Sequence, residues 1–410
     1  MVPEGWSVLP LGKMAEFRNG LNFSKGDEGD AIKIVTIPDF WQRTEMLDLT
    51  DVKSIQPKGK VPCASLLQSG DMLFVRSNGN PELVGRCLFF PEVSEPVSYS
   101  GFTIRGRVDQ SQLVPEFAAS VMLTERTKEQ FRRGRGGGNI SNLSQDILAG
   151  VQVALPPLPE QRKIADILST WDRAIEVSEA LLATAQTQKR ALMQSLLTGK
   201  RRFPEFEGQA WKEVRLGDLG TTFNGLTGKT KGDFGEGMPY IPYLNIFQNS
   251  RISPNQFDLV NVGQDERQSR AQFGDIFFTT SSETPNEVGM SSVLLDDIQN
   301  LFLNSFCFGF RLHDFDTLHP RFARFFLRGQ DFRRSLHRLA QGATRYNLSK
   351  SHLMNVKLML PPVTEQEWIA DVLEVAQVEE SDFVSQIEKL RTEKKALMQQ
   401  LLTGKRRVKV

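Results

Sequence analysis

Asp39, with Pro38 before it, and Asp51 with Lys53 supply the residue types of a nuclease centre. Two carboxylates would hold Mg²⁺ and a lysine would stand beside the attacking water. Their setting argues for ordinary turns instead. Asp39 closes a short apolar run, Asp51 lies in a polar stretch without strand patterning, and Asn245-Ile246 stands where the pair would recur in the second half of the chain. Methyl transfer to an exocyclic amine would need an Asn/Asp-Pro-Pro-aromatic tetrad, but Pro156-Pro157 and Pro361-Pro362 both follow leucines. The glycine run from Gly134 to Asn139 lacks the Lys-Ser/Thr of a nucleotide loop. His313, His319, His337 and His352 show no ligand spacing, and Cys63, Cys87 and Cys307 read as reduced thiols. No catalytic residue and no metal site emerges.

A second group of residues suits recognition. Asp71–Val75 reads as a strand entering the polar loop Arg76, Ser77, Asn78, Gly79, Asn80; its counterpart, from Asp275, enters Thr279, Thr280, Ser281, Ser282. Arginine and asparagine carry donors that match guanine and adenine edges, while serine and threonine suit bases or phosphates. A structural turn accounts for the glycine and asparagine equally well. Arg132, Arg133 and Arg135 flank the glycine run that ends at Asn139, and Arg345-Tyr346-Asn347 stands at the same point of the second half. These segments read either as loops against a nucleic-acid backbone or as plain surface loops. Net charge is only +1, yet seven arginines, including Arg333, Arg334, Arg338 and Arg345, fall between Arg321 and Arg345 against one acid, Asp331. Distribution, not the sum, sets an electrostatic footprint.

The elements that position these groups occur twice, at an offset of about 205 residues that barely drifts. Trp6 to Gly12 returns as Trp211 to Gly217, Asn19-Gly20-Leu21 as Asn224-Gly225-Leu226, and Asn142-Leu143-Ser144 as Asn347-Leu348-Ser349. Leu155-Pro156-Pro157 with Glu160-Gln161 returns as Leu360-Pro361-Pro362 with Glu365-Gln366, and Lys189–Arg202 returns with two changes as Lys394–Arg407. This is a duplicated unit. In each copy, apolar runs such as Ala31–Ile37, Asp71–Val75, Asp275–Phe278 and Phe302–Arg311, punctuated by turn residues, predict strands, and Pro-initiated helices are expected over about 115–133 and 320–340. Each mixed region is therefore α+β.

A proline hinge then leads into a long helix. The pattern divides the chain into a first mixed domain (1–159), a helix (160–198), a linker (199–210), a second mixed domain (211–364), a second helix (365–403) and a basic tail (404–410). Apolar positions at alternating three and four give one seam through Ile164, Leu168, Trp171, Ile175, Ser178, Leu182, Ala185, Lys189, Leu192 and Leu196. The other passes through Ile369, Leu373, Ala376, Glu380, Phe383, Ile387, Leu390, Lys394, Leu397 and Leu401. Such seams favour a coiled-coil pair. Helix one ends just before the second domain begins, so pairing along the length has to be antiparallel, with a pseudo-two-fold relation between the copies. The cations of Lys189–Arg202 either complement the helix C-terminus or face phosphates or a partner's acids. Nothing approaches the roughly eighteen apolar residues of a membrane span, and no secretory signal is visible at Met1–Trp6. A cytoplasmic protein is expected.

The run Leu155–Ala165, the two Leu-Leu-Thr-Gly-Lys-Arg-Arg ends (196–202 and 401–407) and the Trp-x-x-x-x-Leu-Gly domain starts together resemble the specificity subunit of type I restriction–modification systems. The resemblance covers nearly the whole chain. It implies two tandem α+β DNA target-recognition domains, each reading one half of a bipartite site in double-stranded DNA, joined by spacer helices. Those helices dock two DNA-methyltransferase subunits, and restriction or translocase subunits join later. By the same resemblance this chain holds no cofactor, and S-adenosylmethionine, ATP and Mg²⁺ serve the partners. A self-contained modification enzyme, or a coiled-coil adaptor without a DNA role, are the alternatives. The first lacks its tetrad here, and the arginine-bearing domains speak against the second.

Overall fold

Strand pairing in each half joins residues far apart in sequence. A computed structural model describes residues 2–23, 30–41, 43–57, 59–134, 142–339, 342 and 346–409. The chain forms two units, Met1–Glu179 with Ser385–Val410, and Ala180–Val384. In the first, a four-stranded antiparallel sheet runs in the order Ala15–Asn19, Thr103–Val108, Asp71–Val75, Cys87–Phe90. Asp71–Val75 and Cys87–Phe90 are buried on both faces, which is why they read as continuous apolar runs. A three-stranded sheet orders Ser54–Ile55, Ile32–Val35 and Val97–Tyr99, the last pair parallel. Ser7–Pro10 pairs with Gln152–Leu155, tying the domain start to the proline hinge.

The second unit repeats this topology. Its four-stranded sheet is Gly220–Asn224, Cys307–Leu312, Ile276–Thr279, Ser291–Val293. Its three-stranded sheet is Asp258–Val260, Phe234–Ile241, Phe302–Leu303, and Lys212–Arg215 pairs with Lys357–Leu360. Two expectations need correcting. The run Phe302–Arg311 is two strands, because the turn Asn304–Cys307 interrupts it. Each helix expected over 115–133 and 320–340 is a pair: Pro115–Met122 with Glu125–Gly134, and Pro320–Phe326 with Gln330–Leu339. In the first unit Thr124 makes the break. Its hydroxyl returns a hydrogen bond to Val121 O and accepts one from Thr127 N, as a cap does. Asp39 is likewise structural: its carboxylate accepts from the amide and hydroxyl of Thr36 in a capping box.

The long helices span Leu158–Leu196 and Val363–Leu401, each two residues earlier than the periodicity placed them. Both stop where a glycine takes positive φ, Gly199 at 68° and Gly404 at 72°. Each helix gives one half to each unit. Within both units the paired halves run antiparallel. In the first, Asp172 meets Lys394 and Glu179 meets Arg391; in the second, Lys189 meets Glu380 at 2.7 Å while Leu196 shares a core with Ile369 and Leu373. All twenty seam positions are buried or half-buried, including Trp171, Ile175, Leu182, Leu192, Phe383, Leu390 and Leu397. The two seam lysines mark register, each paired with one acid of the facing helix, Lys189 with Glu380 and Lys394 with Asp172.

The repeated sequence motifs meet in one device per unit. Gln161 accepts from Val114 N and donates to Pro156 O and Gln112 O, fixing the first turn of its helix to the domain; Gln366 does the same with His319 N, Pro361 O and Thr317 O. The neighbouring carboxylate holds the end of the other helix. Arg407 donates from Nε and Nη2 to the two oxygens of buried Glu160 at 2.7 and 2.9 Å, and Trp6 Nε1 adds a third bond at 3.1 Å. Arg202 grips buried Glu365 in the same fork at 2.9 and 2.5 Å. For these two arginines the buried carboxylates of this chain replace both the bare helix dipole and an outside phosphate.

Candidate nucleic-acid interface

Three chain segments converge beyond one end of the four-stranded sheet in each unit. The first is the loop leaving the central strand, Arg76–Asn80 or Thr280–Thr284. The second is a tight turn, Ser100–Thr103 or Asn304–Cys307, closed by a backbone bond from its fourth amide to its first carbonyl (2.8 and 3.2 Å). The third is the segment Asn142-Leu143 or Asn347-Leu348. Arg76 N donates to Phe102 O and Leu143 N donates to Arg76 O, both at 2.8 Å. In the second unit Thr280 N donates to Phe306 O at 3.2 Å and Leu348 N to Thr280 O at 2.9 Å. Ser77 bridges Asn142, and Ser281-Ser282 pairs with Tyr346-Asn347. The strand-exit loop and the segment after the arginine-bearing helix, identified separately in sequence, thus form a single edge in both copies.

The side chains of these edges differ. In the first unit Arg76 and Asn80 are exposed, and Ser77 and Asn78 half-exposed, with Arg76 Nη1 3.4 Å from Gly101 O. In the second, Thr280, Ser281 and Tyr346 are half-exposed. Thr279 is fully buried and its hydroxyl accepts from Met290 N, so it holds the edge together and is no contact residue; Ser282 is also largely buried. Arg132 and Arg133 are exposed on the helix leading to the glycine run, in loose pairs with Glu125 and Glu129. Arg135, Asn139 and Arg345 lie outside the described residues.

The arginine cluster of the second unit is mostly not a charged surface. Arg321 binds Glu374 and Asp371 of the second long helix at 2.5 and 2.6 Å. Arg324 is buried against Glu374 and the Phe325 ring. Arg328 donates to the carbonyls of Ile246, Phe247, Asn249 and Ser291, and burial pulls its guanidinium down to about 10. Arg333, expected to face nucleic acid, instead donates to the carbonyls of Asn286, Val288 and Gly289, and burial lowers it also. Arg334 and Arg338 are exposed and remain available to an outside phosphate. Among the described residues no group of three His, Cys, Asp or Glu could hold a metal ion, and no helix is long and apolar enough to cross a membrane.

The type I restriction modification DNA specificity domain matches residues 3–186 and again 209–391. The chain belongs to this family. A Methanocaldococcus jannaschii chain described as the MjaX type I specificity subunit is 25% identical over 100% of this chain and 95% of its own length. The EcoKI specificity subunit of Escherichia coli is 22% identical over 89% of this chain and 80% of its own. A chain from a solved type I R-M system superposes with TM-score 0.58 at 20% identity, over 98% of this chain and 99% of that one. The S subunit of M. genitalium gives 0.58 at 12%, over 97% and 96%. This is a DNA-binding specificity subunit with two recognition domains in tandem.

In these specificity domains the repeated Asn-Gly-Leu supports the edge, a role its sequence alone did not disclose. Leu21 N donates to Tyr99 O and Leu226 N to Leu303 O, both at 2.8 Å. A Cβ on Gly20 would fall on Ser100 O, and one on Gly225 on Asn304 O, the first residue of the turn in each case. Only glycine lets the backbones approach so closely. Gly225→Ala is expected to cost roughly 1–3 kcal/mol by forcing the turn outward, read as a lower urea midpoint. An unchanged midpoint would mean that the turn yields freely. The repeated Asn-Leu-Ser is also explained: Asn142 and Asn347 pair with the exit loop, Leu143 and Leu348 enter the cores, and the Ser144 hydroxyl accepts from Ile147 N to cap the next helix.

Proposed function

We propose that this specificity subunit reads an asymmetric, bipartite site in double-stranded DNA, one half-site per recognition domain. The observation carrying this reading is the repeated edge, one backbone scaffold made twice and furnished with different side chains. Equal scaffolds suit equivalent stretches of duplex, and unequal side chains suit unequal base sequences. The two long helices act as the spacer. A 39-residue helix is about 58 Å long, a length on the order of seventeen base pairs of duplex.

The chain itself is non-catalytic in this reading. Two DNA-methyltransferase subunits dock on the helices, restriction or translocase subunits join through them, and S-adenosylmethionine, ATP and Mg²⁺ work in those partners. The site of action is the cytoplasm. Mapping methylated adenines across the host genome tests the proposal: a gapped, asymmetric motif is expected, and it should vanish when this gene is deleted. Persistence of every motif, or methyl incorporation by the purified chain alone, would reject it. Arg76→Ala in the assembled methyltransferase is expected to weaken binding of the cognate site about tenfold, the lower range of a base-edge contact, with the melting temperature unchanged. Full affinity would remove Arg76 from the interface.

A further inference from the structure

Among the described residues, the large apolar side chains left exposed in one copy are mostly replaced by polar or buried groups in the other. Phe102 and Phe306 are the exception: they hold equivalent positions and are 62% and 66% exposed. Each is the third residue of the tight turn at the reading edge, and each turn is pinned from several sides. Phe102 N donates to Ser100 Oγ at 3.1 Å and Phe306 N to Asn304 Oδ1 at 2.8 Å. Their carbonyls accept from Arg76 N and Thr280 N of the exit loops, and Gly20 and Gly225 back the first residue of each turn. Exposing a phenyl ring to water costs free energy that neither core recovers. Fixing the displaying turn by the same bonds in both copies marks the ring as a presented group and not a frayed core residue. Around Phe306 the surface is hollowed into a pocket of about 410 Å³, lined by the apolar or aromatic Tyr243, Leu244 and Phe247 and by the polar Ser281 and Glu283.

We propose that Phe102 and Phe306 are specificity-determining residues, each packing its ring against the 5-methyl group of a thymine in the half-site read by its own domain. The proposal rests on the DNA-reading function above and adds to it the residue and the base feature concerned. An apolar ring has no donor or acceptor for a phosphate or a base amide. In the major groove the thymine methyl is the apolar feature that separates A·T from the other pairs, and it fits a rigid phenyl beside polar neighbours such as Arg76 or Ser281.

The test uses the full chain assembled with its methyltransferase subunits and duplexes carrying its mapped motif. Each thymine is replaced in turn by deoxyuridine, which removes only the methyl group. Wild-type assembly is expected to lose roughly fivefold in affinity at one position in each half-site, the worth of about one buried methyl. Phe306→Ala should weaken binding by at least as much and abolish the deoxyuridine effect in one half-site only. Phe102→Ala should do so in the other, and Phe→Leu should retain most affinity in both. Melting temperatures close to wild type would confirm that the exposed rings do not hold the fold. Absence of any deoxyuridine effect, or an effect that survives the alanine variants, overturns the proposal while leaving the bipartite reading intact. An assembly that methylates no gapped motif overturns the reading itself.

Discussion

Arg202→Ala is expected to destabilise the second unit by about 3 kcal/mol or more, among the larger single-residue effects available in this chain. Glu365 sits in the first turn of its helix with its side chain only 1% exposed, and the Arg202 fork supplies its side-chain donors among the described residues. Removing the arginine leaves a buried carboxylate with only the helix N-terminus to stabilise it. Orphaning one member of a buried ion pair typically costs about 3–5 kcal/mol. The equivalent change in the first unit should be milder. Glu160 would keep the Trp6 indole as donor, whereas Trp211 Nε1 is buried without a partner and gives Glu365 no such support. The replacement Glu365→Gln should also cost less than Arg202→Ala, since it removes the buried charge while the arginine keeps its bond to the Gln209 carbonyl and can still donate to the amide oxygen. Urea unfolding of the three variants, followed by a probe in each unit, checks the order. Equal losses for Arg202→Ala and Arg407→Ala would refute the account of the missing indole bond.

The parts of this architecture that obey a short period were readable in the sequence. The heptad seams needed only apolar spacing, and every seam residue from Ile164 to Leu401 is at least half-buried. The strands Asp71–Val75 and Ile276–Thr279 were visible as apolar runs. Pairing across long separations was not. The motifs around Glu160 and Arg407 were each conspicuous as repeats, but nothing local says that they meet across 247 positions. The arginine cluster failed for a related reason. A count of cations cannot tell a guanidinium aimed at solvent, as in Arg334, from one folded onto three carbonyls, as in Arg333. Phe306 was hidden inside a run that reads as a single strand, because Asn304-Ser305 is a weak turn signal among aromatic neighbours. Reading a buried strand from continuous apolarity also absorbs an exposed phenylalanine that belongs to function.

Arg328→Ala should unfold the second domain outright or leave it weakly stable, and Arg328→Lys should rescue little. The side chain acts as a four-way internal bracket: Nη2 reaches Ile246 O, Phe247 O and Asn249 O at 2.6, 3.0 and 2.7 Å, and Nε reaches Ser291 O at 2.7 Å. It thereby satisfies the C-terminal carbonyls of the short helix Tyr243–Gln248 and joins them to a strand of the main sheet. Each buried acceptor left without a donor costs on the order of 1–3 kcal/mol. Even with partial relaxation the sum rivals the whole stability of an ordinary domain, about 5–15 kcal/mol. Lysine cannot replace it, because an ammonium is a point donor while the planar fork reaches carbonyls on two sides at once. Burial depresses the guanidinium to about 10, still charged at neutral pH, and the carbonyl dipoles around it explain how a cation is kept there. The contrast with Arg334, exposed six residues on in the helix Gln330–Leu339, makes the measurement decisive. Arg334→Ala should leave the unfolding free energy within about 0.5 kcal/mol of wild type and register only in DNA affinity and its salt dependence. Arg328→Ala should abolish the cooperative unfolding transition of the second domain, and a normal transition in that variant would return the arginine cluster to the surface role that its sequence suggests.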